Sequence, residues 1–283
     1  MSTELNSRIC AITGPTRGIG RETAQQLSAL GYHLLLLCRD PAQGQVLRSQ
    51  LPGSSDVLYC DLGEAKSVVQ AAQQIKSNHK NLNVLINNAG ILETRRRFIA
   101  GTGAMMAINH LGHFLLTQRL LPLLLQTEDS RIIVTSSSAH RLGRLSTADP
   151  LCRHQPAAGL MAYGRSKLAN LLFALSLAKR LEGSNTVCNA LHPGVVLSNL
   201  MLASGGWIGS LSGLIKPFVM SAADGAATSV YLASDPTAGK LHGQYLDQQQ
   251  RIVSPSRRAK DRQLQNALWN ASERALAAYL TDQ

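Results

Sequence analysis

Arg8-Ile-Cys-Ala-Ile-Thr13 is a short apolar run that leads through Gly14-Pro-Thr-Arg-Gly18-Ile-Gly20 into Arg21–Leu30, where Ala24, Leu27 and Leu30 fall at helical spacing. A buried strand, a glycine turn and a helix in immediate succession leave little choice of fold. The strand belongs inside a parallel sheet, and the helix returns over one of its faces. Backbone N–H groups of such a turn, with the helix N-terminus behind them, can receive a pyrophosphate. The spacing is GxxxGxG, not the GxGxxG of the common dinucleotide fingerprint.

The alternation continues along the chain. Strands are predicted at His33–Cys38, Asp56–Cys60, Asn83–Ile86, Arg131–Thr135 and Thr186–Leu191, with a short one near Gln244–Leu246. Helices are predicted at Glu64–Asn78, Gly103–Leu125, from Tyr163 to about Leu181, at Ala222–Ala233 and over roughly Asp261–Leu280. This pattern specifies a doubly wound parallel sheet with helices on both faces, in a single domain spanning residues 1–283. Residues 195–218 are apolar and glycine-rich without a clean period, and read as a flap over a pocket. Gly14, Asp61, Asn88–Gly90, Ser137 and Pro193–Gly194 all fall just after predicted strands, at the edge where such sheets bind ligands.

Composition narrows the setting. Hydrophobic content of 45% and charged content of 16% suit a globular protein of 283 residues. No apolar run reaches the ~20 residues of a membrane span, and Met1–Ser7 lack the layout of a signal peptide. A cytoplasmic location is expected. Cys10, Cys38, Cys60, Cys152 and Cys188 are scattered, without a CxxC pair, which suggests neither a disulfide framework nor a metal site. The net charge of +11 gathers at Arg95-Arg96-Arg97, at Arg141, Arg144 and Arg153, and at Arg257–Arg262. These clusters serve an anionic partner or simply a solvated face. No interleaved aromatics accompany them, so nucleic-acid binding is not expected.

The acid–base candidate is Tyr163-Gly-Arg-Ser-Lys167. Residues four apart on a helix share a face, and an ammonium beside a phenol favours the phenolate, whose free pKa is near ~10. Such pairs are also common on solvated helices. After the second strand, Arg39 would suit the 2′-phosphate of NADP, whereas Asp40 would suit the ribose of NAD. Arg17 could reach the same phosphate, and two guanidiniums favour NADP(H). Asn87-Asn88-Ala89-Gly90 is either a close-approach loop or an ordinary turn. Asn109, within an apolar helix, is either a structural amide or part of a hydrogen-bond relay.

Taken together, Thr13–Gly20, Asn87–Gly90, Asn109, Ser136-Ser137-Ser138, Tyr163 with Lys167, and Pro193-Gly194 resemble the short-chain dehydrogenase/reductase family in content and order. Ser-Ser-Ala-His140, Tyr163–Asn170, His192–Val196 and Leu268-Trp269-Asn270-Ala-Ser272 are similar to its retinol dehydrogenase and WW-domain oxidoreductase branch. The resemblance implies a Rossmann fold, its cofactor half in residues 1–135 and its catalytic half in 136–283, and an NADP(H)-dependent oxidoreductase acting on a small lipophilic carbonyl or alcohol. Tyr163 would exchange the proton and Lys167 would lower its pKa while holding the nicotinamide ribose. Ser137, with Ser136 as the fallback, would bond the substrate oxygen, and Asn109 would anchor a proton relay. Gly14, Thr16, Arg17, Gly18, Ile19 and Gly20 would surround the diphosphate and adenosine, and Arg39 the 2′-phosphate. Asp61 and Leu62 would flank adenine, Asn88, Ala89 and Gly90 the ribose side, and Val196 and Ser198 the carboxamide. Leu160, Met161, Leu200, Met201, Trp207, Leu211 and Phe218 suggest an apolar cleft or, equally, flap packing or a subunit contact. A catalytically weak scaffold of the same fold is the competing reading. Oligomeric state stays open, with the helices over 103–125 and 163–181 as the surfaces a homodimer would use.

Overall fold

The computed structural model describes residues 8–154, 157–194 and 220–281. Its strands are β1 (Ile9–Thr13), β2 (His33–Cys38), β3 (Ser55–Tyr59), β4 (Val84–Asn87), the antiparallel hairpin β5 (Phe98–Ile99) and β6 (Thr102–Gly103), β7 (Arg131–Thr135), β8 (Val187–Leu191) and β9 (Tyr245–Leu246). All but the hairpin form one sheet in the order β3-β2-β1-β4-β7-β8-β9, and every pairing in it is parallel. The order turns back between β1 and β4, which opens a crevice at the carboxyl edge.

Side chains alternate across the strands. Cys10 and Ile12 of β1 join one core, and Ala11 joins the other. On the first face pack α1 (Gly18–Ala29), α2 (Pro41–Arg48) and α7 (Ala222–Ser234), through Ala24, Leu27, Leu47 and Leu232. On the second pack α3 (Ala65–Asn78), α5 (Gly112–Gln126) and α6 (Gly159–Arg180), through Ile75, Phe114, Leu115 and Leu172. Truncating one such buried leucine to alanine typically costs about 2–5 kcal/mol. Gly112 is required where α5 meets the chain after β3, because a Cβ there would strike the Leu62 carbonyl.

Two elements depart from expectation. The single helix predicted over 103–125 consists of α4 (Ala104–Met106), a π-helical turn (Ala107–Leu111) and α5. The widened turn carries Asn109 and His110, both fully buried and bonded to distant parts of the chain. Helix α2, not anticipated, begins with Pro41 at its first position and Asp40 as its N-cap.

The last helix, α8 (Arg262–Leu280), lies outside α5 and α6. The Trp269 ring meets Phe114 at 5.0 Å and Phe173 at 6.0 Å, and the Arg180 guanidinium sits 3.9 Å from its centroid. Each aromatic pair contributes about 0.5–1.5 kcal/mol beyond burial. The helices expected to meet a second copy are thus faced at this contact by α8 of the same chain. Among the described residues no helix is long and apolar enough to cross a membrane.

Candidate active site

The glycine turn is a cradle defined by contact. Gly14 and Gly18 have φ of +64° and +53°. A Cβ on Gly14 would lie 3.0 Å from Ala89, and one on Gly20 would strike the Gly14 carbonyl and come within 2.6 Å of Asn88 Nδ2. The N-cap of α1 is Arg17, and no side chain caps the helix. Its first N–H groups therefore point at the crevice as donors for an anion. Asn88 Nδ2 donates to the carbonyls of Thr13 (2.9 Å) and Gly14 (3.3 Å), and the N–H groups of Asn88 and Ala89 both donate to Thr13 Oγ1 at 3.0 Å. The amide of Asn88 thus fixes the loop, leaving close approach to Ala89 and Gly90.

Helix α6 delivers Tyr163 and Lys167 to the same edge. Lys167 is 2% exposed. Its Nζ donates to the Thr135 carbonyl at 3.0 Å and lies 5.7 Å from the Tyr163 ring centroid. A Cβ on Gly90 would come within 3.3 Å of Nζ, so Gly90 keeps this path open. Burial pushes the Lys167 ammonium down to about 8. Burial also pushes the Tyr163 phenol up to about 12, against a hydrogen bond with Ser137 that lowers it. The lysine was expected to bring the phenol down. At this separation desolvation dominates instead, and the tyrosine is a protonated donor at neutral pH.

The three serines after β7 separate by environment. Ser136 is buried and its hydroxyl donates to the Lys167 carbonyl at 2.8 Å. Ser138 is exposed and opens a 3-10 turn (Ser138–Arg141). Ser137, half-buried, is the serine that acts on the Tyr163 phenol and lowers its pKa. His140 anchors it from behind: Ser256 N–H donates to Nε2 (3.2 Å), so Nδ1 carries the proton and donates to the Ser137 carbonyl (2.7 Å).

Asn109 is committed on several sides. Its Oδ1 accepts from Ile91 N–H (2.8 Å), and its Nδ2 donates to the Ile91 carbonyl (3.0 Å) and to Ser166 Oγ (2.9 Å). Ser166 in turn donates to the Tyr163 carbonyl at 2.8 Å. His113 extends this chain. Its Nδ1–H donates to the Asn109 carbonyl (2.9 Å), which leaves Nε2 to accept from Thr13 Oγ1 (2.9 Å). Burial, with Lys167 adding to it, lowers His113 to about 4, so the ring is neutral and its tautomer fixed. The Tyr163 turn of α6 is thereby wired to the end of β1. Sequence reasoning passed over His113; an Asn–His pair four apart in an apolar helix was the available signal.

The outer end of the crevice is different. Arg17 and Arg39 are exposed, and among the described residues no hydrogen bond or ion pair engages either guanidinium. Asp40 accepts from the N–H groups of Ala42 (3.0 Å) and Gln43 (3.3 Å). Asp61 Oδ1 accepts from Gly63 N–H at 2.8 Å, and Leu62 is buried against Gly112. Thr16 and Ile19 are half-buried beside the cradle. Leu160 and Met161, at the start of α6, are exposed. Val196, Ser198, Leu200, Met201, Trp207, Leu211 and Phe218, with the flap over 195–218, lie outside the described residues.

A nicotinamide dinucleotide fits this arrangement on two observations. The cradle excludes side chains where a diphosphate would pass, and among the described residues the buried Lys167 ammonium uses one of its three donors. The comparisons agree. The family model for short chain dehydrogenases matches residues 8–207. Retinol dehydrogenase 12 of Homo sapiens is 37% identical over 276 residues, which cover 95% of this chain and 86% of that one. The crystal structure of an uncharacterized protein from Mycobacterium paratuberculosis superposes with a TM-score of 0.78 at 32% identity, over 95% of this chain and 93% of its own. A short chain dehydrogenase from Shigella flexneri complexed with NADP gives a TM-score of 0.66 at 25% identity, over 86% and 97% of the two chains.

Proposed function

The chain belongs to the short-chain dehydrogenase family, and on that premise we propose that it exchanges hydride between NADP(H) and the carbonyl or alcohol carbon of an apolar small molecule. The observation that carries this reading is the convergence of Ser137, Tyr163 and Lys167 beside Gly90. When bound, the nicotinamide supplies or accepts the hydride. In reduction, Tyr163 gives its proton to the substrate oxygen, and in oxidation it takes one back. Ser137 donates a hydrogen bond to that oxygen and holds it against the phenol. Lys167 turns its remaining donors to the ribose hydroxyls. Asn109 acts here as a positioning residue, through Ser166 and the Tyr163 backbone.

For the cofactor, Gly14, Thr16, Arg17, Gly18, Ile19 and Gly20 take the diphosphate and adenosine, Asp61 and Leu62 the adenine, and Asn88, Ala89 and Gly90 the ribose side. Val196 and Ser198 are assigned to the carboxamide. The choice of NADP over NAD is supported by the two residues after β2. Asp40, which would select a free ribose, uses its Oδ1 to cap α2, whereas the Arg39 guanidinium has no partner among the described residues. In this reading residues 1–135 serve the cofactor and 136–283 the substrate, in one cytoplasmic domain.

The name of the human relative makes retinol and its aldehyde the first substrates to try. Purified protein is incubated with NADPH and a panel of apolar aldehydes and ketones, and NADPH absorbance is followed. Turnover of at least one apolar member is expected. Intact NADPH binding without turnover of any would overturn the catalytic reading.

A further inference from the structure

The amino edge of the sheet, opposite the catalytic groups, holds a second convergence of reactive side chains. His33 opens β2, Asp56 lies in the edge strand β3, and His79 caps the C-terminal end of α3. His33 Nε2 lies 3.0 Å from Asp56 Oδ2, and His79 Nε2 lies 3.9 Å from the same oxygen. All three ligand atoms fall within 4.8 Å of one another. We propose that His33, Asp56 and His79 form a binding site for a first-row divalent cation of the zinc type.

An ordinary ion pair accounts for only half of this arrangement. The contact between His33 and Asp56 is a normal hydrogen bond, but 3.9 Å is too long for one, and the His79 ring makes no side-chain hydrogen bond among the described residues. Ligand atoms around a tetrahedral zinc are about 3.3 Å apart, given metal–ligand bonds near ~2.0–2.1 Å. The observed separations bracket that edge. On the far side of His33, Nδ1 meets Ser54 Oγ at 2.8 Å. That is the outer partner a metal-bound imidazole needs to keep Nε2 turned inward.

The donor set and its exposure agree with the same ion. Two imidazoles and one carboxylate suit zinc or cobalt, whereas calcium and magnesium take oxygen ligands. The His33 and His79 side chains are 18% and 16% exposed, and Asp56 is 50% exposed. The imidazoles are enclosed, and the open side leaves a fourth position for water. Arg48 lines the same cleft without an ion pair to Asp56. A bound ion would tie the edge strand to its neighbour and to α3.

The test uses full-length protein stripped with a chelator and titrated with Co2+, followed by visible absorption and by displacement with Zn2+. One-to-one binding with the band intensity of a four-coordinate site is expected. It should be lost in His79→Ala and in Asp56→Asn, the latter keeping the side chain's shape, and weakened roughly tenfold in Ser54→Ala. Zn2+ should raise the melting temperature of the parent chain but not of His79→Ala or Asp56→Asn, whose metal-free melting shows whether they fold. His154→Ala, at an exposed histidine outside the cluster, should bind like the parent. Absence of one-to-one binding, or binding unchanged in both His79→Ala and Asp56→Asn, would overturn the site.

Discussion

The two ends of the cofactor crevice are built on opposite principles. At the inner end, Thr13, His113, Asn109, Ser166 and Tyr163 form an unbroken chain of hydrogen bonds through buried, neutral groups. At the outer end, Arg17 and Arg39 stand exposed, without a partner in the described residues. The inner end is organised before any ligand arrives, which is what a proton transfer over fixed distances requires. The outer end has only charge and reach, which suffice to recognise a phosphate. On the proposed reading, precision is placed where bonds change, and adaptability where a cofactor is selected.

The sharpest way to break this contrast is Tyr163→Phe. It should lower kcat by about 10²–10⁴-fold and leave NADPH affinity within a factor of two or so, as judged by steady-state kinetics and fluorescence titration. Arg39→Ala should do the reverse. NADPH affinity should fall roughly tenfold to hundredfold, the value of one hydrogen bond to a charged group, with NADH affinity and kcat nearly untouched. Raising the salt should weaken NADPH binding to the parent more than to this variant. Asn109→Ala leaves the Ile91 N–H without its acceptor and the Ser166 hydroxyl without the amide that donates to it. It should cost about 1–3 kcal/mol of stability in urea and lower kcat, because the Tyr163 turn loses its tether.

A pH dependence also follows from the buried rings at the inner end. Burial lowers His110 to about 3, with His113 adding to the shift, and lowers His113 itself to about 4. Below the ordinary histidine value of 6.5 the unfolded chain takes up protons that the folded rings refuse. Stability is therefore full above that value and is lost as pH falls toward about 4 and then about 3. Each ring contributes a slope of up to ~1.4 kcal/mol per pH unit. Denaturation midpoints measured between neutrality and acid should show it. His113→Leu should flatten the curve, whereas Arg17→Ala should not.

Much of this was readable from residue order because the features involved are local. The apolar runs of β2 and β7 are predicted with the bounds the fold adopts, His33–Cys38 and Arg131–Thr135. The order of glycine turn, Asn109, serines, Tyr163 and Lys167 points to the family to which the comparisons assign the chain. What stayed hidden depends on distance along the chain. Asp40 carries the same side chain whether or not it caps a helix, and its capping role depends on where α2 starts. Nothing local in Trp269 announces that α8 will pack against α5 and α6. His33, Asp56 and His79 come from three separate elements and carry no spacing motif.

One of these long connections has a consequence for biosynthesis. His110, in the π turn beside Asn109, is bonded at 2.9 Å to Ser272, 162 residues further along the chain. During translation that bond cannot close until the chain has been made and released at least as far as Ser272. Until then the π turn bearing Asn109 lacks its tether to α8, so the proposed catalytic centre is assembled only after the further 162 residues to Ser272 have been added.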